Sequence, residues 1–297
     1  AVNLLNSGPV GGVIGSLKLA SLLGMRNLIV TDVGGTSFDV GLVVNGELTY
    51  VQSPVFEKYH LLVPMVDIVS IGAGGGSIAS IETATNLLRV GPQSAGASPG
   101  PVCYDSGGSD PTVTDADVIL GRINPENFWG GRLRLNRDKA LAVVKEKIAA
   151  PLGMDAVEAA KGIIDIADAH MADLIRKVTI ERGYDPRDFG LLASGGGGPT
   201  HVGAYGKQAG VAQAVISPYA PVFSAFGIAT SDHVRFYAKS DPMVAPFDVA
   251  RMNDVFVNLE AAAAADLERS GLGDYEHTLA RFVDMKFRRQ VNEVRVP

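Results

Sequence analysis

The run Ser194-Gly195-Gly196-Gly197-Gly198-Pro199-Thr200 constrains this chain more than any other stretch, because four consecutive glycines separate the apolar segment Gly190–Ala193 from a segment opened by Pro199. An apolar run before the glycines and a proline at a first helical position after them predict a strand, a tight turn and a helix. Such a unit takes ligands at the carboxyl end of its strand, where first-turn amides and the helix dipole attract an anion. Gly195, Gly196, Gly197 and Gly198 let a nucleotide lie flat on the backbone; the other reading is a flexible linker. His201 either touches the ligand or hydrogen-bonds its own neighbours.

Glycine is in excess throughout: 35 of 297 residues, about 12% against a usual ~7%. A second cluster, Asp32-Val33-Gly34-Gly35-Thr36-Ser37, ends the β-branched run Leu28–Asp32 and turns into Phe38–Val44. Gly34 and Gly35 let backbone approach a phosphate, with the Thr36 and Ser37 hydroxyls as further donors, while Asp32 binds Mg²⁺ directly or through water, or orients an attacking group. A glycine hairpin whose Asp bonds its own turn is the alternative. The third cluster, Gly72–Gly76 with Gly74 and Gly75 at its centre, follows Asp67; it either meets a phosphate or substrate or crosses tightly over other backbone.

Around these clusters, helical spacing predicts a helix over 10–24, closed by Gly24. The runs Leu28–Asp32, Phe38–Val44 and Leu48–Gln52, the last two joined by Asn45-Gly46, predict a three-stranded antiparallel meander. The stretch 60–120 reads as loop-rich with few regular elements, apart from a short helix opened by Thr114. Asp115 and Asp117 are either a catalytic or metal carboxylate pair or caps for that helix. Helices are expected over Arg137–Ala149 and Val157–Arg182, the latter with Ile163, Ile166, Ala167, His170, Met171, Leu174 and Val178 on one stripe. A strand at Ala214–Ser217, a helix near 249–270 and strands near 278–287 and 290–296 complete the reading. Arg122, Arg132, Arg134 and Arg137 read as a solvated face, and Cys103 as a buried small hydrophobe.

A strand–Asp-x-Gly-Gly-Thr–hairpin, a long helix and a glycine-rich strand–turn–helix, in that order, resemble the second half of the actin-like ATPase fold of sugar kinases and Hsp70. The segments SGPVGGVIG (7–15), DVGGTSFDV (32–40), DIVSIGAGGGSIA (67–79), VGPQSAGASPGPVCY (90–104), PTVTDADVILGRI (111–123) and ASGGGGPTHV (193–202) narrow this. They resemble the hydantoinase A / 5-oxoprolinase family, which includes ATP-dependent hydantoinases and subunits of acetone and acetophenone carboxylases.

The resemblance implies an α/β actin-like (ribonuclease H-like) ATPase fold, a mixed sheet flanked by helices. Residues 1–234 would be the ATPase lobe and 235–297 part of a following α+β segment. The family's earlier glycine and threonine phosphate motif is absent, and the closing strand pair stops short, so a chain truncated at both ends with an incomplete site is expected. ATP and Mg²⁺ are the implied cofactors. Asp32 and Thr36 would be catalytic, Asp32 the metal ligand, Gly34, Gly35, Thr36 and Ser37 would face phosphates and Gly195–Gly198 adenosine. Asp67, Gly74, Gly75, Asp115 and His201 would lie toward the substrate.

The implied activity is substrate activation by phosphoryl transfer, alongside a hydantoinase B-like large subunit in a hetero-oligomer. EKYHLLVPMVDI (57–68) and MKFRRQVNEV (285–294) look nearer the ketone carboxylases than the cyclic-amide hydrolases. A non-catalytic nucleotide-binding structural subunit is a further alternative. A net charge of −6 argues against a nucleic-acid binder, the lack of an apolar run of ~18 residues against a membrane span, and a single cysteine fits a cytoplasmic setting.

Overall fold

The computed structural model describes residues 7–51, 54–56, 58–60, 65–290 and 293–297. Two compact units are present, Ala1–Ser231 and Asp232–Pro297.

In the first unit α1 (Ser7–Leu23) leads into β1 (Leu28–Val33) and β2 (Phe38–Val44). Side chains of a strand alternate between its faces. Leu28 and Val30 accordingly pack with Val13 and Phe223, while Ile29 and Val33 pack with Met171 and Leu191. The same alternation sends Thr31 to the second face and Asp32 to the first.

β3 (Glu47–Leu48) folds back on β2 through Asn45-Gly46, both at positive φ. The expected third meander strand, Leu48–Gln52, divides there. Leu48 stays beside β2, β4 (Tyr50–Val51) leaves the sheet, and Gln52 lies outside the described residues. Next come β5 (Val55–Phe56) and β6 (Tyr59–His60), paired with each other, and β7 (Met65–Val66), which pairs with β4. Much of the segment 57–68 that resembles the ketone carboxylases, Glu57 and Leu61–Pro64, lies outside the described residues, as does Ala1–Asn6.

The rest of β2 is taken by β8 (Ile68–Ile71), antiparallel, with Phe38 opposite Ile71. β9 (Ser77–Glu82) and β10 (Leu87–Ser94) form a hairpin. Regular structure in 60–120 is therefore more extensive than expected: Gly91 and Pro92, which read as strand breakers, sit within β10 at a register shift between Val90 and Ser94. α2 (Val113–Ile119) is capped by Thr112 rather than Thr114, in a reciprocal capping box with Asp115.

α3 (Arg137–Val144) passes through a π turn, Lys145–Ala149, into α4 (Ala150–Leu152), so the expected helix over Arg137–Ala149 is not uniformly α. α5 (Ala156–Ile180) is capped by Asp155, which accepts from the amides of Val157 and Glu158. Its buried face is rotated from the expected stripe: His170 is exposed and Asp168 is buried. β11 (Gly190–Ser194), α6 (Gly198–Ala209), β12 (Gln213–Ile216) and α7 (Phe223–Thr230) come next, much as the glycine run foretells.

The principal sheet has the order β12-β11-β1-β2-β3, with β8 also beside β2. β12, β11 and β1 are parallel, and β2 is antiparallel to β1. Val13 of α1 and Phe223 of α7 cover one face; Met171 and Ile175 of α5 with Val202 and Tyr205 of α6 cover the other. A further apolar cluster joins β9, β10, α2, α3 and α5, and includes the buried Cys103, whose thiol burial holds in its neutral form. This is the expected mixed α/β sheet flanked by helices.

The second unit contains α8 (Val249–Arg269) and an antiparallel pair, β13 (Val283–Met285) with β14 (Val294–Val296). Both strands are shorter than expected, and Val291 and Asn292 lie outside the described residues. Asp266 of α8 accepts hydrogen bonds from the Tyr237 hydroxyl at 2.7 Å, from Arg269 at 3.0 Å and from Arg235, and these pull its carboxyl down to about 2. Among the described residues no helix is long and apolar enough to cross a membrane.

Candidate functional site

The carboxyl ends of the parallel neighbours β1 and β11 bring the two glycine motifs together. Asp32 stands opposite Ser194 on one side and opposite Asp39 of β2 on the other. The turn 34–37 is closed by the Gly34 amide donating to the Ser37 carbonyl at 3.0 Å. The Gly197 amide donates to the Val33 carbonyl at 3.0 Å, so the two turns are bonded directly to each other.

Asp32 is half-buried and points toward α7, where the Ser224 hydroxyl donates to Oδ2 at 3.1 Å. Burial raises its pKa above the ordinary carboxylate range, the Ser224 hydrogen bond opposes this, and neighbouring Asp39 adds to the rise. Asp39 accepts from the Ser37 hydroxyl at 3.3 Å and from the Ser70 hydroxyl. Asp32, Asp39 and Ser194 line a recess of about 10 Å³ against Pro9, Gly12 and Val13 of α1, room for about one water-sized group. A wider recess of about 280 Å³, between Arg26, Asn27, Arg187 and Gln213, lies at the opposite ends of the strands.

Gly195 has φ +80°, and a Cβ there would collide with Asp32 Oδ1 and the Val33 carbonyl. Only a residue without a side chain leaves Oδ1 open. An open carboxylate oxygen whose charge burial disfavours, beside a second carboxylate, is a donor set that fits a hard cation such as Mg²⁺. Among the described residues the Gly35 and Thr36 amides are engaged by no hydrogen bond, which suits a phosphate chain at this turn. Thr36 Oγ1 lies 3.2 Å from Ser94 Oγ, at the surface.

The third glycine cluster crosses over the first. Gly75 and Gly76 donate to the Gly34 and Gly35 carbonyls at 3.0 and 2.6 Å. A Cβ on Gly74 would come within 2.7 Å of the Gly34 carbonyl oxygen, closer than real contacts allow. Of the two readings offered for Gly72–Gly76, this is the tight crossing of backbone on backbone, and it supports the turn from behind.

Asp115 is fully buried and acts as a structural acceptor, taking hydrogen bonds from the amides of Thr112, Val102 and Cys103 at 2.9, 3.2 and 2.7 Å. Asp67 sits just before β8, away from the Ile71 end, and is paired with Arg182 at 2.7 Å. The structure therefore brings Asp32, Gly34, Gly35, Thr36, Ser37 and Gly195–Gly198 to one place and leaves Asp67 outside it. Arg122, Arg132, Arg134 and Arg137 are exposed, as expected, although Arg122 reaches a buried partner.

His201, on the first turn of α6, does not bond only its own neighbours. Its ring lies between Asp168 Oδ1, 2.7 Å from Nδ1, and Asp117 Oδ2, 3.2 Å from Nε2, all three nearly fully buried. Burial works against its charge, but hydrogen bonds from the ring to Asp117 and Asp168 outweigh it and raise its pKa from 6.5 to about 9. Asp168, Asp39 and Ser224 are missed by reading the sequence. Asp168 carries a readable signal, lying in helical step with Ile164, Met171 and Ile175 on the buried face. Asp39 carries one too, since a hairpin pairing Val33 with Phe38 puts Asp32 opposite it. Ser224, nearly two hundred residues from Asp32, carries none.

The hydantoinase/oxoprolinase family profile matches residues 1–236. The acetophenone carboxylase gamma subunit of Aromatoleum aromaticum is 44% identical over 98% of this chain and 41% of its own length. A nucleotide-free acetone carboxylase superposes with a TM-score of 0.84 at 35% identity, over 97% of this chain and 42% of that one. The ATP-dependent caprolactamase of Pseudomonas jessenii gives 0.77 at 37% identity, over 98% and 42%. The chain thus spans about two-fifths of the length of these relatives. With motifs, fold and sequence in agreement over most of its length, the chain belongs to the hydantoinase/oxoprolinase family and has its actin-like ATPase fold.

Proposed function

We propose that this chain is the ATP-binding part of an ATP-dependent ketone carboxylase subunit that activates its substrate, or bicarbonate, by phosphoryl transfer. The observation that carries the reading is the convergence of Asp32 and the 34–37 turn with the Gly195–Gly198 turn at the carboxyl ends of β1 and β11. Residues 1–234 are read as the ATPase lobe and 235–297 as part of an adjoining α+β segment. Bound MgATP would supply the phosphoryl group and the cation that offsets its charge. The chain's own share is to hold the phosphates on the Gly35 and Thr36 amides and the Thr36 and Ser37 hydroxyls, to place Asp32 beside the cation, and to lay adenosine along Gly195–Gly198. A hydantoinase B-like large subunit would complete a cytoplasmic hetero-oligomer and carry the carboxylation.

The second reading is a cyclic-amide hydrolase, favoured by 43% identity over 88% of this chain to the caprolactamase subunit alpha of Pseudomonas jessenii. A substrate panel on the full-length protein with its partner subunits separates them. Phosphate release from ATP is measured with acetone, acetophenone, caprolactam, 5-oxoproline and hydantoin, each with and without bicarbonate. Release that requires a ketone and bicarbonate supports the first reading; release with a lactam and no bicarbonate supports the second. Nucleotide binding with no substrate-stimulated release would overturn both and leave a structural nucleotide-binding subunit.

A further inference from the structure

The buried Asp117–His201–Asp168 cluster has no part in the site just described, yet it closes a ring of contacts around it. The Val33 carbonyl accepts from the Gly197 amide, and Gly197 in turn accepts from the His201 amide at 3.3 Å. His201 Nε2 reaches Asp117 on α2 at 3.2 Å. One turn earlier on α2, the Thr114 amide and hydroxyl both donate to the Gly75 carbonyl at 2.8 Å. The Gly75 amide then donates to Gly34, next to Val33. All other links in the ring are backbone, hydroxyl or one turn of helix; the imidazole–carboxylate contact is the ionic one.

A buried ion pair is a poor source of net stability, because desolvation offsets most of its attraction. Among the described residues Asp117 Oδ1 and Asp168 Oδ2 moreover lack hydrogen-bond partners, the latter having only Arg122 at 3.5 Å. Apolar side chains would fill this position at lower cost. What the ionic contact supplies is a fixed distance and orientation between α6, which presents the Gly195–Gly198 turn, and α2, which holds the crossing behind the 34–37 turn.

We propose that His201 and Asp117 are positioning residues: they form a strut coupling the adenosine turn to the phosphate turn, so that a ligand on one sets the geometry of the other. Asp168 anchors the imidazole from α5. The proposal rests on the nucleotide reading above, and splitting the nucleotide into two probes separates its failure from the failure of that reading.

The experiment measures, by calorimetry on the full-length protein, the affinity for magnesium tripolyphosphate with and without saturating adenosine, and the reverse. In the wild type each probe tightens the other about tenfold, within the usual range of coupling between sites. Asp117→Asn brings this below about twofold, and so does His201→Gln. Ile163→Val, a core change on α5 in the apolar cluster beside α2 whose side chain makes none of the ring's polar links, retains the coupling and controls for lost stability. Wild-type protein that binds neither probe overturns the nucleotide reading itself. Binding of both probes without mutual tightening, or tightening that survives both variants, overturns the strut alone. Should neither variant fold, amide exchange in the wild type decides. Adenosine alone then slows exchange at Gly75, Gly76 and Thr114 if the strut exists, and unchanged exchange there overturns it.

Discussion

Asp32 and Gly195 are sterically interdependent: the Asp32 carboxylate occupies the place where a side chain on residue 195 would begin. Gly195→Ala forces either a strained φ or displacement of Asp32 from the turn. We expect it to cost the full-length protein about 1–3 kcal/mol of stability, read from urea midpoints, and to abolish MgATP binding. Gly196→Ala, at a position with open space around it, is the comparison and should retain the fold.

Asp32 itself is held in an environment that disfavours its charge. Asp32→Asn should abolish substrate-dependent ATP hydrolysis while stabilising the ligand-free protein by about 1 kcal/mol, as is common when a strained functional group is removed. The sign comes from the raised folded-state pKa: the native protein holds this proton more tightly than the unfolded chain, so ionisation lowers stability as pH rises above the ordinary 3.8. In the Asn variant that acidic-side decline should be absent from thermal melts taken across pH 3–7.

Ser224 works on the same carboxylate from α7. Ser224→Ala removes the hydrogen bond that favours ionised Asp32, so its pKa should rise further. The acid limb of the kcat/KM profile for ATP hydrolysis should move to higher pH relative to wild type. An unmoved limb would separate Asp32 ionisation from the rate.

These residues differ in how far the sequence reveals them. The β-branched run Leu28–Asp32, the run Phe38–Val44 closed by Asn45-Gly46, and proline after the glycine run identify β1, β2, β11 and α6 because local chemistry and tertiary environment agree there. Gly74 and Gly76 show an excess without a cause, since the carbonyls they must clear lie some forty residues away at Gly34 and Gly35. Thr112, not Thr114, caps α2 because the Thr114 hydroxyl is already spent on Gly75. The β9–β10 hairpin is obscured by Gly91 and Pro92, which the sheet tolerates at a register shift. At Gly74, Gly76 and Thr114 a contact between distant segments overrides the local preference.

The Thr112–Asp115 box fixes the first turn of α2, whose Thr114 holds Gly75. Thr112→Ala removes a cap to the Asp115 amide and one donor to a buried carboxylate. A loss of about 1–2 kcal/mol is expected from denaturant unfolding.

The cluster at His201 should make stability decline on the alkaline side. The groups facing the imidazole are Asp117 of α2, Asp168 of α5 and, beyond Asp168, Arg122; Tyr205 of α6 lies near enough for Asp168 to raise its pKa, burial being the larger cause. In the folded protein His201 keeps its proton up to about pH 9, against 6.5 when unfolded. Its stabilisation is therefore fully present below about pH 6.5, falls with rising pH, and is gone above about 9. His201→Gln leaves two buried carboxylates without their cation and should cost about 3–5 kcal/mol at pH 6. The gap between the two proteins should narrow steadily toward pH 9.5 in urea titrations. A gap independent of pH would mean that His201 is neutral in the native protein.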